Sequence, residues 1–145
     1  MYALRAHIVS AAVLVGVAGL PHAVAAQGTA KLVAPVRGPA KVEITRPATK
    51  TSRTEMITTI MLKNMETAPI AGLKIEENWY DKAGNPIGGD VYRHKKPVQP
   101  GEVITIVLRT PRSASLSRNQ CSFTHANGAI KQTVVPKIEG VQAAK

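Results

Sequence analysis

The stretch from Gly72 to Gly89, GLKIEENWYDKAGNPIGG, sets the terms for the chain. Leu73, Ile75 and Trp79 share one strand parity, and Lys74, Glu76, Asn78 and Tyr80 share the other. A period of two is the signature of a strand with one face buried. The polar run Asp81 to Asn85 that follows is turn chemistry, with Gly84 free to take positive φ. Glu77 falls on the apolar parity of this strand. Either a bulge rotates it outward or it lies at the rim.

The same grammar repeats on both sides. Thr54 to Asn64 reads as a strand with Met56, Thr58, Ile60 and Leu62 on one face, rich in the β-branched residues that suit a pleat. Glu102 to Arg109 follows the turn at Pro100-Gly101, with Ile104, Ile106 and Leu108 facing in, and Pro111 ends it. Gln120 to His125 places Cys121, Phe123 and His125 on one face. Asn127-Gly128 is a two-residue hairpin signal, returning the chain through Ala129 to Val135. Val91 to Lys95 reads as a short return strand, Val42 to Thr45 as an edge strand, and Pro47 to Arg53 as a loop. No segment has helical periodicity. About seven short strands with regular turns predict an all-β fold, an immunoglobulin-like antiparallel β-sandwich. A small barrel is the other architecture that fits.

The N-terminus predicts export. Arg5 precedes an apolar run, Ile8 to Leu20, and small residues follow at Ala23, Ala25 and Ala26. That order is a secretory signal, with the run too short for a ~20-residue span. The expected organisation is a signal peptide over 1–26, an extended linker over 27–41, the sandwich over 42–136 and a flexible tail over 137–145. No later run is long enough to span a membrane, so the exported chain is expected in the periplasm or outside the cell. Cys121 is the single cysteine, so no internal disulfide can form and the fold stands on its apolar core.

Candidate chemistry is sparse. His94, Cys121 and His125 carry the donor types of a copper site, but no methionine follows His125 to serve as axial ligand. Cys121-x-x-x-His125 also reads as strand, not as a ligand loop. Met56 and Met61 have opposite parity and read as core filler. No serine in the Ser113, Ser115, Ser117 loop sits in a nucleophile elbow. We expect no enzyme activity and no cofactor. The basic excess is the other feature. Removing Arg5 from the 19 Lys and Arg leaves 18 against 9 acids, a net of +9. Arg93, Lys95, Lys96, Arg109, Arg112 and Arg118 stand against Glu102 alone between Val91 and Arg118. They are the candidate contacts for an anionic surface, in one patch if their strand ends meet and in two if they do not. Without interleaved aromatics, and with an export signal, the pattern argues against nucleic acid. Envelope lipid, polysaccharide or an envelope protein is the expected partner.

Leu62-Lys63-Asn64, Pro69-Ile70, Trp79-Tyr80-Asp81-x-x-Gly84-Asn85 and Pro100-Gly101-Glu102 together resemble FxLYD-type β-sandwich domains and the YcfL-like periplasmic proteins. The resemblance runs from Thr54 to Leu108, with Trp79 where the FxLYD name has Leu. It implies that Asn64 and Asp81 cap turns, that Trp79 fills the core, and that the chain is an extracytoplasmic module without catalytic residues. The resulting expectation is a bacterial envelope module for binding or accessory roles. The competing reading is a small periplasmic copper-binding or electron-transfer protein using His94, Cys121 and His125.

Overall fold

Among the described residues hydrogen-bond pairing builds eight strands: β1 (Ala40–Thr45), β2 (Ala48–Thr51), β3 (Glu55–Asn64), β4 (Lys74–Tyr80), β5 (Pro86–Arg93), β6 (Val103–Pro111), β7 (Arg118–His125) and β8 (Gly128–Val135). The computed structural model describes residues 32–140. The expected signal peptide, the start of the linker and the last five residues of the tail lie outside the described residues. Among the described residues the fold is all-β, and no helix is long and apolar enough to cross a membrane.

The strands follow the order β2-β3-β1-β8-β7-β4-β5, with β6 on the other side of β3. The ribbon curls into two layers. One holds β6, β3, β1 with β2, and β8; the other holds β7, β4 and β5. Inward residues of both layers meet in one core, including Val42, Ile44, Ile60, Leu62, Leu73, Ile75, Ile106, Leu108 and Phe123. The parity expected from sequence holds: every second residue is buried along most of β3, β4 and β6, and on β7 the inward positions go from half-buried Asn119 and Cys121 to buried Phe123 and His125.

Several expectations are corrected. Among the described residues the strands number eight, not about seven, because Ala48–Thr51 lies in the expected loop and pairs with β3. All four of its residues are exposed, so it carries no hydrophobic alternation to read. The sandwich is not wholly antiparallel, since β1 pairs parallel with β8 over its full length. β1 is therefore no edge. It lies between β3 and β8 and buries Ala40, Val42 and Ile44. The hairpin turns one residue early, at Ala126-Asn127, with His125 paired to Gly128. Asn127 is spent elsewhere: its carbonyl accepts from Gly38 N (3.0 Å) and its amide donates to Val36 O (3.0 Å), tethering the segment that leads into β1. Ile138, in the expected tail, is only 4% exposed.

The turns behave as their residues require. Asn64 donates to Ala68 O and Val98 O and accepts from Glu66 N, which closes the bend after β3. Asp81 accepts from the backbone and side-chain amides of Asn85 at 2.9 and 3.0 Å. Those bonds hold its carboxyl below the usual carboxylate range. Gly89 is fixed by contact: a Cβ there would collide with the Glu77 carbonyl on the paired strand.

Candidate functional site

The interior of the sandwich contains a charge-bearing group. Glu77 is 1% exposed, on the same inward parity as Ile75 and Trp79. No bulge turns it out: β4 keeps regular register with β7 throughout, and its one shift against β5 falls between Trp79 and Tyr80. The carboxylate instead finds donors. Thr58 Oγ1 of β3 and Asn119 Nδ2 of β7 donate to Oε1 at 2.6 and 2.7 Å, and Thr110 Oγ1 of β6 donates to Oε2 at 3.2 Å. Four strands from both layers are tied through one side chain. A buried carboxylate without such donors would be strongly destabilising.

Trp79, two residues on, is core as expected at 5% exposed. Its indole Nε1 is buried without a hydrogen-bond partner. Cys121 is paired with Glu77 across β7 and β4 and is half-buried. Burial and, secondarily, the Glu77 charge push its thiol up to about 11. A thiol so protonated is a poor nucleophile and a poor metal ligand at neutral pH.

The copper triad is not assembled. Cys121 and His125 sit four residues apart on one extended strand, roughly 13 Å along it at ~3.3 Å per residue. His125 is buried, with Nε2–H donating to Gly38 O at 2.7 Å and Nδ1 accepting from Asn127 N at 3.4 Å. His94 bonds Tyr92 Oη through Nδ1 at 2.8 Å. Among the described residues no three His, Cys, Asp or Glu side chains are grouped to hold a metal ion.

The six basic candidates fall into two groups. Arg93 closes β5 opposite Lys74, at the start of β4, and exposed Lys95 and Lys96 follow it. Arg118 opens β7 opposite Tyr80, at the far end of β4. The intervening length of β4 is roughly 20 Å at ~3.3 Å per residue. Arg112 lies at the Arg118 end, its amide donating to Thr54 O at 2.8 Å. Arg109 is nearby but engaged, its guanidinium 2.9 Å from Glu55.

That second end gathers three connections. Residues 52–54 meet Arg112 through Thr54, the loop 112–117 is pinned by Ser117 N to Tyr80 O (2.9 Å), and the 81–85 turn lies against Arg118. Exposed Arg53 and Lys82 therefore join Arg112 and Arg118. Glu55 there is paired with Arg109, while Asp81, bonded by the neutral Asn85 amides, keeps its charge and offsets part of the four bases. Arg118 also lies over the Tyr80 ring, 5.5 Å from its centroid, and the two line a shallow cleft with Asn119 and Gln120.

Sequence reasoning missed the polar interior and the contributions of Arg53 and Lys82. The first left a signal: Thr58, Glu77 and Thr110 are polar residues on inward parities at matching depth. The second left none, because these bases are distant in sequence and are joined only by strand direction. No family model matches the chain, and no curated protein matches it. Among solved structures it is similar to IrmA from Escherichia coli, at 9% identity and a TM-score of 0.45, over 72% of this chain and 99% of that one. A likeness that slight carries no argument, and the β-rich fold rests on the pairing described above.

Proposed function

We propose that the chain is an exported binding or accessory module of the cell envelope, and that it meets an anionic lipid surface with the end bearing Arg112 and Arg118. The observation that carries the reading is the convergence of Arg53, Lys82, Arg112 and Arg118 on one end, where they outnumber the charged Asp81 and where Glu55 is paired with Arg109. Like charges brought together on exposed turns raise the local potential and attract anionic headgroups. Support for export comes from the N-terminal pattern. Support for a non-catalytic role comes from the FxLYD and YcfL-like resemblance at Asn64, Trp79, Asp81 and Gly84.

Vesicle co-sedimentation tests the reading. The protein should pellet with phosphatidylglycerol vesicles at low salt, release as salt shortens the screening length toward about 8 Å, and ignore phosphatidylcholine. Arg112→Glu with Arg118→Glu should weaken binding about tenfold or more, since each base near such a surface contributes about 1 kcal/mol. Both positions are exposed, so the fold should survive. Pelleting that is absent, or indifferent to charge reversal, overturns the reading.

A further inference from the structure

The strand register gives the molecule a second basic end, pointing the other way. We propose that the protein is bivalent and joins two anionic bilayer surfaces, one at each end of the sandwich. This rests on the reading above and adds that both ends engage at once.

Arg93, Lys95 and Lys96 are exposed where β5 runs out, beside the start of β4. The local acids are Glu76, paired with Lys74 at 3.0 Å, and Glu66 and Glu102, which accept from the neutral backbone amides of Lys41 and Gln99 at 2.7 and 2.6 Å and keep their charge. Arg93, Lys95 and Lys96 outnumber the unpaired Glu66 and Glu102 there, as the four bases outnumber Asp81 at the Arg112 end. The strand length between the two groups, roughly 20 Å, exceeds twice the screening length of about 8 Å at physiological salt. Each end therefore acts as its own contact, and a molecule standing on one presents the other to solution.

The stretch between the ends favours two surfaces over one extended polyanion. A polysaccharide spanning both groups would run along the outer face of β4 and β7. There it would meet Asn78, Gln120 and Ser122, with Glu76 in its path, and no continuous line of bases. Compact clusters at opposite ends suit dense headgroups instead.

The test follows vesicle clustering by dynamic light scattering, with bound protein measured by sedimentation in the same samples. Vesicles of mixed phosphatidylglycerol and phosphatidylcholine should cluster at intermediate protein and disperse at excess, when every contact is filled from one side. Lys95→Glu with Lys96→Glu, and Arg112→Glu with Arg118→Glu, should each still pellet at raised lipid through the intact end. Each should lose clustering. Binding without clustering in the wild type overturns bivalency and leaves the single-surface reading intact. Clustering that survives either reversal also overturns bivalency, since one end then suffices. No binding to vesicles, with binding to polygalacturonate instead, overturns both the bilayer assignment and the proposal built on it. Circular dichroism of each variant should match the wild type.

Discussion

The two halves of the interior share one pattern, but one is mainly apolar and the other is built around a buried carboxylate. Toward the Lys95 end the buried positions are mainly apolar, with Ile70, Leu73, Ile75 and Val98, and the buried Asn64 bonds to the backbone carbonyls of Ala68 and Val98. Toward the Arg112 end they are Thr58, Glu77, Thr110 and Trp79, buried to the same degree. Apolar burial stabilises one half by removing surface from water. In the other half the Thr58, Thr110 and Asn119 side chains bond to the Glu77 carboxylate, while the Trp79 indole nitrogen has no partner. Strand parity thus decides what goes inside, and only the facing strands decide whether a polar residue can remain there.

The largest effects should come from emptying either half. Trp79→Ala should cost about 3–5 kcal/mol and Ile75→Ala about 2–5 kcal/mol, as cavities in packed surroundings do. Glu77→Ala should cost about 3–5 kcal/mol by a different route, stranding the Thr58, Thr110 and Asn119 donors. The conservative variants separate the two mechanisms. Glu77→Gln should cost only about 1–2 kcal/mol, since Gln can still accept from Thr58 and Asn119 while the Thr110 hydroxyl turns to accept. Urea denaturation of the set checks the comparison. A Glu77→Ala variant as stable as wild type would mean the network adds nothing.

A smaller effect should be seen at Cys121, where the halves meet. With its thiol at about 11 against an ordinary 9.0, the folded protein should hold roughly a hundredfold less thiolate at neutral pH than the unfolded chain. Iodoacetamide should label the native protein slowly and the denatured protein fast. Glu77→Gln should speed native labelling severalfold, because removing the negative charge lowers the thiol pKa. The linked stability term has a definite sign. The unfolded thiol ionises first, so stability should fall as pH rises from 9.0 toward about 11. Rapid native labelling at neutral pH would contradict the burial of this site.

The smallest effect belongs to the turn beyond the polar half. Asp81 has a depressed carboxyl, caused first by the Asn85 side-chain bond. Its contribution to stability is therefore present above the ordinary value of 3.8 and is lost as pH falls through the lower folded value. Asn85→Ala should move the Asp81 titration back toward ordinary, as read by carboxyl-carbon NMR. An unmoved titration would remove Asn85 as the cause.

What the chain determined locally was strand identity, inward parity and turn chemistry. Alternation marks β3, β4, β6 and β7, and their buried faces are the ones the alternation named. Asn64, Asp81 and Gly84 act in turns as their side chains and backbones allow. These properties depend on residues within a few positions of one another. The tertiary structure decided the rest. β2 has no apolar face, so nothing in its own residues marks it; only β3 beside it makes it a strand. Glu77 can stay buried because its donors arrive from 19, 33 and 42 residues away. The basic residues separate into two ends because β5 and β7 both run antiparallel to β4 and so bring Arg93 to one end and Arg118 to the other. Strand direction and pairing are long-range facts, and a one-dimensional pattern of alternation leaves them unspecified.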